Sequence, residues 1–376
     1  MSSPEIMYHE VIPENLLSSY GEFDNVDMVL SAGEGRSLDL QSIRIEGELS
    51  VVNTAGNLGV GANETKQIVL DHLVGAHSFF ESFTTAVSAP SNFVVETLNE
   101  YPRYVKMSMA GMAGPNDMNN SNNVCEMKAP NDNMTNNVLQ GVYPNVPTNS
   151  LRLNPDFSIR PLIALNSGNG SLPYRKSGDV RLSFILARKA GALFGKDMAD
   201  DVTYSISDLR CRFTSSPDDG SNDPVVMKTK IHIKQSIQSS QANINTRAPG
   251  VCFGMSASFQ TQTEENTNHH NNLQLNAIPN LRQTQFQFNN SSNTLISYIV
   301  KDNTELLTRY IDSFLDTGRN SLSLVNLANN NGFGIGLDFD GAVDLRSNKF
   351  SLQLLSDIAS NQPMLVYMYF HSVIEL

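Results

Sequence analysis

Thr214–Pro224, read TSSPDDGSNDP, divides this chain. It holds two prolines, a glycine, three aspartates and three serines, and nothing that fills a core. Gly and Pro break regular structure, and Asp, Asn and Ser side chains hydrogen-bond their own backbone instead of a ladder. The stretch therefore reads as a linker between two halves. Each half closes in the same way: strand, polar loop, strand, short spacer, strand. Before the linker these strands are Phe157–Leu165, Val180–Leu186 and Val202–Phe213; before the C-terminus they are Phe333–Phe339, Phe350–Leu354 and Met364–Phe370. The two sets barely resemble each other in sequence, so the echo is one of architecture.

The rest of the chain agrees with two β-rich halves. Leu38 and Leu40 alternate, the phase slips, and Ile43, Ile45, Leu49 and Val51 continue it, which predicts a strand over Ser37–Asn53 with a bulge near Gln41–Ser42. Ser78–Ser88 places Phe79, Phe83 and Val87 on one strand face. Phe93–Met109 has a helix-like face interrupted by Pro102. In the second half, Val226–Ile237, Val251–Phe259 and Gln283–Phe288 read as strands. Asn303–Asp316 is the best helix, with Leu306, Leu307, Tyr310, Ile311, Phe314 and Leu315 on one stripe. Met364–Phe370 is apolar on both faces, as a doubly covered strand must be. Two long amide-rich loops interrupt the pattern, Met112–Asn137 and Thr261–Ile278; a loop as long as the first is either functional or a simple insertion. Glu14–Tyr20 predicts a short helix within an N-terminal arm. The expected division is an arm over 1–30, a first unit over 31–213, the linker over 214–224 and a second unit over 225–376.

Composition narrows the function. Only 17% of the 376 residues are charged, against an average near 25%. Some forty asparagines supply polarity instead. Such a surface suits packing among copies, where each unpaired charge is costly to desolvate, and equally a loop-rich β-protein. With a net charge of −12 and no basic run, no direct nucleic-acid binding is expected, because phosphate contacts need Lys and Arg. Cys125, Cys211 and Cys252 are odd in number and contain no CxxC, so neither a disulfide framework nor a zinc knuckle is implied. No signal peptide or apolar run long enough for a bilayer is visible, so a soluble product of the cytosol is expected and the sequons at Asn63, Asn119, Asn133 and Asn169 are chance.

The residues that carry chemistry elsewhere form no constellation here. His269–His270, with Glu264–Glu265, is a candidate metal pair in an Asn-rich loop. His72 and His77 straddle a Gly-containing turn beside Asp71. Asp338 and Asp340 alternate on one strand and read either as a carboxylate pair or as its solvated face. GNLGVGAN lacks the Gly-Lys-Ser/Thr ending of a phosphate loop, and the glycines of Gly332–Gly336 lie inside a strand. We therefore expect no catalytic, cofactor-binding or metal-binding residue, no cofactor and no enzymatic activity.

FSIRPLIAL at Phe157–Leu165, the loop with Leu172–Pro173, GDVRLSFIL at Gly178–Leu186 and DVTYSISDLRCRF at Asp201–Phe213 resemble the closing strands of one roll of a known family. FGIGLDF, NKFSLQLLSDI and PMLVYMYF resemble those of its second roll. The family is the double jelly-roll major capsid proteins of tailless icosahedral DNA viruses, which include tectiviruses, corticoviruses, virophages and polinton-like viruses. The resemblance covers most of the chain in pattern, and the family has no strict residue signature. It implies an all-β fold of two tandem eight-stranded jelly rolls with a few short helices in the loops. It further implies a homotrimer with a pseudo-hexagonal footprint that tiles an icosahedral shell, meeting neighbouring capsomers, penton and minor capsid proteins. The location implied is the virion, after synthesis in the host cytoplasm. In relatives with an internal membrane the N-terminal arm lies inside, although residues 1–30 carry no Lys or Arg to attract anionic lipid. Two other classes stay open: a β-sandwich binding protein such as a viral spike, adhesin or lectin-like module, and a jelly-roll enzyme using Asp338/Asp340 or His269/His270.

Overall fold

A computed structural model describes residues 5–52, 70–71, 73–112, 125–128, 157–168, 170–193, 203–262, 272–273, 283–288, 296–299, 303–314, 334–356 and 363–376. Four antiparallel sheets carry the fold. In the first half, β1 (Met7–Val11), β10 (Thr203–Pro217), β4 (Arg44–Val52) and β7 (Phe157–Ile159) form one sheet. The other is β2 (Asn25–Leu30), β9 (Val180–Leu186), β5 (Phe80–Val87) and β6 (Phe93–Asn99). In the second half, β11 (Val226–Ile237), β18 (Met364–Glu375), β13 (Val251–Thr261) and β16 (Ile335–Asp344) form one sheet. Its companion is β12 (Gln241–Thr246), β17 (Phe350–Leu355), β14 (Gln283–Phe288) and β15 (Ile296–Ile299). A short extra pair, β3 (Arg36–Asp39) and β8 (Ser171–Pro173), extends the far end of β10.

With that extra pair set aside, both halves have one connectivity. The first, eighth, third and sixth strands make one sheet, and the second, seventh, fourth and fifth make the other. That is a jelly roll, and it occurs twice. Each roll closes on its own aromatic cluster between its sheets. Phe80 meets Phe184 at 5.2 Å and, across the sheets, Phe157 at 6.2 Å. Phe350 meets Phe286 at 6.2 Å and, across the sheets, Phe370 at 5.1 Å. Such pairs add about 0.5–1.5 kcal/mol each beyond area burial.

Several local expectations change. Within residues 5–30, β1 and β2 each supply a strand to the first roll. In NVDMVL the inward residues Val26, Met28 and Leu30 are buried at period 2. No helix forms over Glu14–Tyr20; this segment turns, and Tyr20 bridges to Ile206. Thr214–Pro217 belongs to β10, held between β1 and β3, so the connection between rolls starts at Asp218. Arg175 straps that connection, donating to Asp218 Oδ2 at 2.7 Å and Asn222 Oδ1 at 2.9 Å. The slip at Gln41–Ser42 is a full turn between β3 and β4, closed by Asp39. The slip in β10 is a true bulge, with Asp208 at φ 48°. The strand from Phe157 stops at Ile159, before Pro161. Phe93–Met109 is a strand followed by a helix, α1 (Tyr101–Met112). Glu100, at φ 52°, makes the corner, and Pro102 sits in the first helical turn, where its missing N–H is not needed. The helix α2 (Asn303–Asp312) buries Leu306, Leu307 and Tyr310 and half-buries Ile311, with Phe314 buried just beyond it, and Leu315 lies outside the described residues.

Candidate functional site: the seam between the two rolls

Helix α1 lies between the rolls, and every residue from Tyr101 to Ser108 is buried. One side packs into the first roll: Tyr101 stands edge-on to Phe83 at 4.7 Å and bonds His77 Nδ1 at 2.6 Å. The other side meets the second roll through Arg103, Tyr104 and Met107. Arg103 donates to Gln260 Oε1 and to the Asn272 carbonyl, and its guanidinium lies 3.9 Å from the centre of the Tyr367 ring. Tyr104 packs against Tyr369 at 5.3 Å, and the Met107 carbonyl accepts from Tyr310 of α2 at 2.7 Å.

Beside the helix, charges meet across the seam. Strand β11 begins VMKTKIHIK, so Lys230, His232 and Lys234 share one face, and that face turns to the first roll. Glu96 and Glu100 answer it. Lys234 pairs with Glu100 at 2.9 Å, and the Tyr369 hydroxyl donates to the Glu100 carbonyl at 2.8 Å. Glu96 sits on β6 with its side chain 1% exposed, and it serves both rolls at once. Its Oε2 accepts from the Ala164 N–H at 2.8 Å, and its Oε1 accepts from the Lys230 N–H of the second roll at 2.8 Å. The Lys230 ammonium lies 3.9 Å from the same carboxylate, donates to the Leu162 and Lys228 carbonyls, and lies 5.3 Å from the centre of the Tyr104 ring.

Burial raises the Glu96 carboxyl and lowers the Lys230 ammonium, each beyond what its partner restores. The pair therefore selects one docking of the rolls more than it adds net stability. Burial also pushes His232 down to about 4, against the pull of Glu100, and His371 down to about 3, with Lys230 and Lys228 adding to the effect. Both imidazoles are neutral in the docked seam near pH 7.

A second buried polar cluster lies under the first roll. Lys106 of α1 grips Asp71 at 2.7 Å, while Asp71 accepts from the Leu73 N–H at 2.9 Å. His77 Nε2 is 3.3 Å from Glu126, which pairs with Lys128 at 2.6 Å. Burial alone would raise the Glu126 carboxyl, but Lys128 and His77 hold it well below the usual carboxylate range. The Glu126 carbonyl accepts from Ala76 N–H at 2.8 Å over Gly75, where φ is 56° and an added Cβ would stand 2.3 Å from that carbonyl oxygen. Cys125–Lys128 is thus a clasp that fastens part of the long Asn-rich insertion to the roll.

His72, Glu264, Glu265, His269 and His270 lie outside the described residues. Asp338 is half-buried and Asp340 exposed; the Asp340 N–H bonds Asp338 Oδ1 at 2.9 Å, a local turn at the point where Asp340 takes φ 53°. Gly336 of β16 serves packing: a Cβ there would stand 2.3 Å from Ser313 Oγ and 2.9 Å from the Tyr310 Cα, so glycine lets the segment of α2 and Ser313 lie against the strand. Cys211 and Cys252 are buried, each thiol pushed up to about 12 by burial. Among the described residues no group of three or more His, Cys, Asp or Glu is placed to hold a metal ion, and no helix is long and apolar enough to cross a membrane.

No protein-family model and no curated protein matches the chain. Solved structures do match, along its whole length. PBCV-1 VP54, fitted into a reconstruction of the virophage Sputnik, is similar over 100% of this chain and 95% of that one, at TM-score 0.57 and 10% identity. The Faustovirus major capsid protein covers 100% and 91%, at 0.58 and 7%. A chain of the PBCV-1 virus capsid covers 100% and 95%, at 0.54 and 9%. At such identities the likeness is one of fold, and the chain has the double jelly-roll fold.

Proposed function

We propose that this chain is a major capsid protein, a structural subunit that trimerises into pseudo-hexagonal capsomers and tiles an icosahedral shell. One observation carries the reading. Two jelly rolls of identical connectivity stand in one chain, joined by a buried, charge-registered seam rather than by a free linker. Two like rolls per chain give six per trimer, and a fixed seam keeps the footprint constant from copy to copy. The full-length fold likeness to the capsid structures supports it. The building unit divides at residues 218–224, with the first roll starting at β1 and the second at β11.

On this reading the partners are other copies, neighbouring capsomers, and penton and minor capsid proteins, and the location is the virion shell. Contact with an internal membrane would fall to the segment preceding β1. The role is structural, with no chemistry asked of any side chain. Electron microscopy of purified protein tests it: three-fold particles of pseudo-hexagonal outline, alone or tiled, are the expected result. Monomeric particles that bind a glycan or receptor would replace the reading with that of a β-sandwich binding module.

A further inference from the structure

Between the rolls lies a small cleft of about 30 Å³. Glu81 and Arg188 line it from the first roll, Glu100 and Arg103 from the corner and first turn of α1, and Gln260 and Tyr367 from the second roll. Glu81 reaches the cleft through a backbone irregularity. In the pairing of β5 with β9, Phe80 faces Leu186 and Ser82 faces Ile185, so Glu81 is the extra residue of a bulge. Bulges re-aim side chains, and this one puts a carboxylate where an ordinary register would not.

The neighbouring charges are already engaged. Glu100 holds Lys234, and Arg103 is bonded to Gln260 and Asn272 and stacked on Tyr367. The phenols of Tyr204 and Tyr369 also stand close enough to feel the Glu81 charge. Glu81 has no hydrogen bond or ion pair among the described residues. It is a second carboxylate in a half-enclosed space shared with Glu100, and like charges confined together favour a proton on one of them.

We propose that Glu81 is a proton-operated latch of the seam, neutral while the rolls are closely docked and ionised as the cleft opens to water. Burial, followed by repulsion from Glu100, raises its carboxyl to about 7, against the opposing pull of Arg188, Lys234 and Arg103. The sign follows from linkage. A carboxyl whose folded value lies above its ordinary 4.5 contributes fully below that ordinary value. Its contribution is lost as pH rises through the folded value, here between 4.5 and about 7. The latch belongs to the chain itself and does not rest on the capsid reading.

The test compares amide exchange of α1 and β18 in the wild-type protein and Glu81→Gln at the same pH values from 5 to 8.5, so that intrinsic exchange cancels. Gln is close in size and neutral throughout. The ratio of seam opening, wild type over variant, is expected to rise up to about tenfold per pH unit below 7 and to level off above it. Glu100→Gln, which removes the repelling charge, should shift that rise to lower pH. A ratio that stays constant across the range, with both proteins folded, overturns the proposal.

Discussion

Glu96 is where the account of the seam is most exposed to disproof. Its carboxylate accepts one backbone N–H from each roll and faces the Lys230 ammonium, all in a site almost closed to water. Glu96→Ala leaves two buried N–H groups without their acceptor, at about 1–3 kcal/mol each, and a buried cation without its anion. Removing one partner of such a pair costs about 3–5 kcal/mol in all, since surrounding groups relax. Glu96→Gln keeps one acceptor oxygen but turns an NH₂ toward the other N–H, so about 1–3 kcal/mol is expected. Lys230→Met strands the carboxylate and should cost about 3–5 kcal/mol. The double variant Glu96→Gln, Lys230→Met should return to within about 2 kcal/mol of wild type, because a neutral pair needs no compensating charge. Urea unfolding at pH 7 of wild type, Glu96→Gln, Lys230→Met and the double variant supplies the cycle, with Glu96→Ala measured beside them. A Glu96→Ala cost below about 1 kcal/mol, or single-variant costs that simply add, would refute the claim that this pair registers the rolls.

Three further outcomes follow from the same structure. His232 and His371 have folded values depressed to about 4 and 3, so their contribution is present above 6.5 and lost as pH falls below it. Acid titration of unfolding stability should therefore show a decline of up to about 1.4 kcal/mol per pH unit for each, and His232→Gln should flatten it. Gly75→Ala forces a left-handed non-glycine residue and a Cβ into the Glu126 carbonyl; a cost of about 2–4 kcal/mol is expected, with faster proteolysis around residues 125–128. Thiol labelling at pH 8 should modify no more than one cysteine quickly, because Cys211 and Cys252 are buried with thiols near 12, and all three only after unfolding.

The strands that close each roll were legible in the sequence because one face is apolar and the other polar, as in Val180, Leu182, Phe184 and Leu186. The centrality of β18 was legible for the opposite reason, since MLVYMYF is apolar on both faces and β11 and β13 flank it. The seam was not legible. Lys230, His232 and Lys234 alternate with Ile231 and Ile233, the pattern of a solvated strand face, yet Lys230 is buried against Glu96 of the other roll. Arg103 and Lys106 are charged residues of a helix, yet both are buried and bonded within the fold. Charge patterning held the one usable signal: a basic alternate face on β11 and two glutamates, Glu96 and Glu100, bracketing the end of β6. Period-2 reasoning assigns such residues to solvent, because a single chain pattern does not state what lies opposite a polar face. Likewise the buried role of Glu126 was hidden in the Asn-rich insertion, where its local surroundings are polar throughout.

The mass of the purified protein in solution, by light scattering across a wide concentration range, separates a capsid subunit from a binding module. A trimeric capsid subunit gives a stable species at three times the 41.3 kDa chain mass, or larger shells built from it. A strict monomer at every concentration, with the two rolls folded and docked, would contradict the capsid reading.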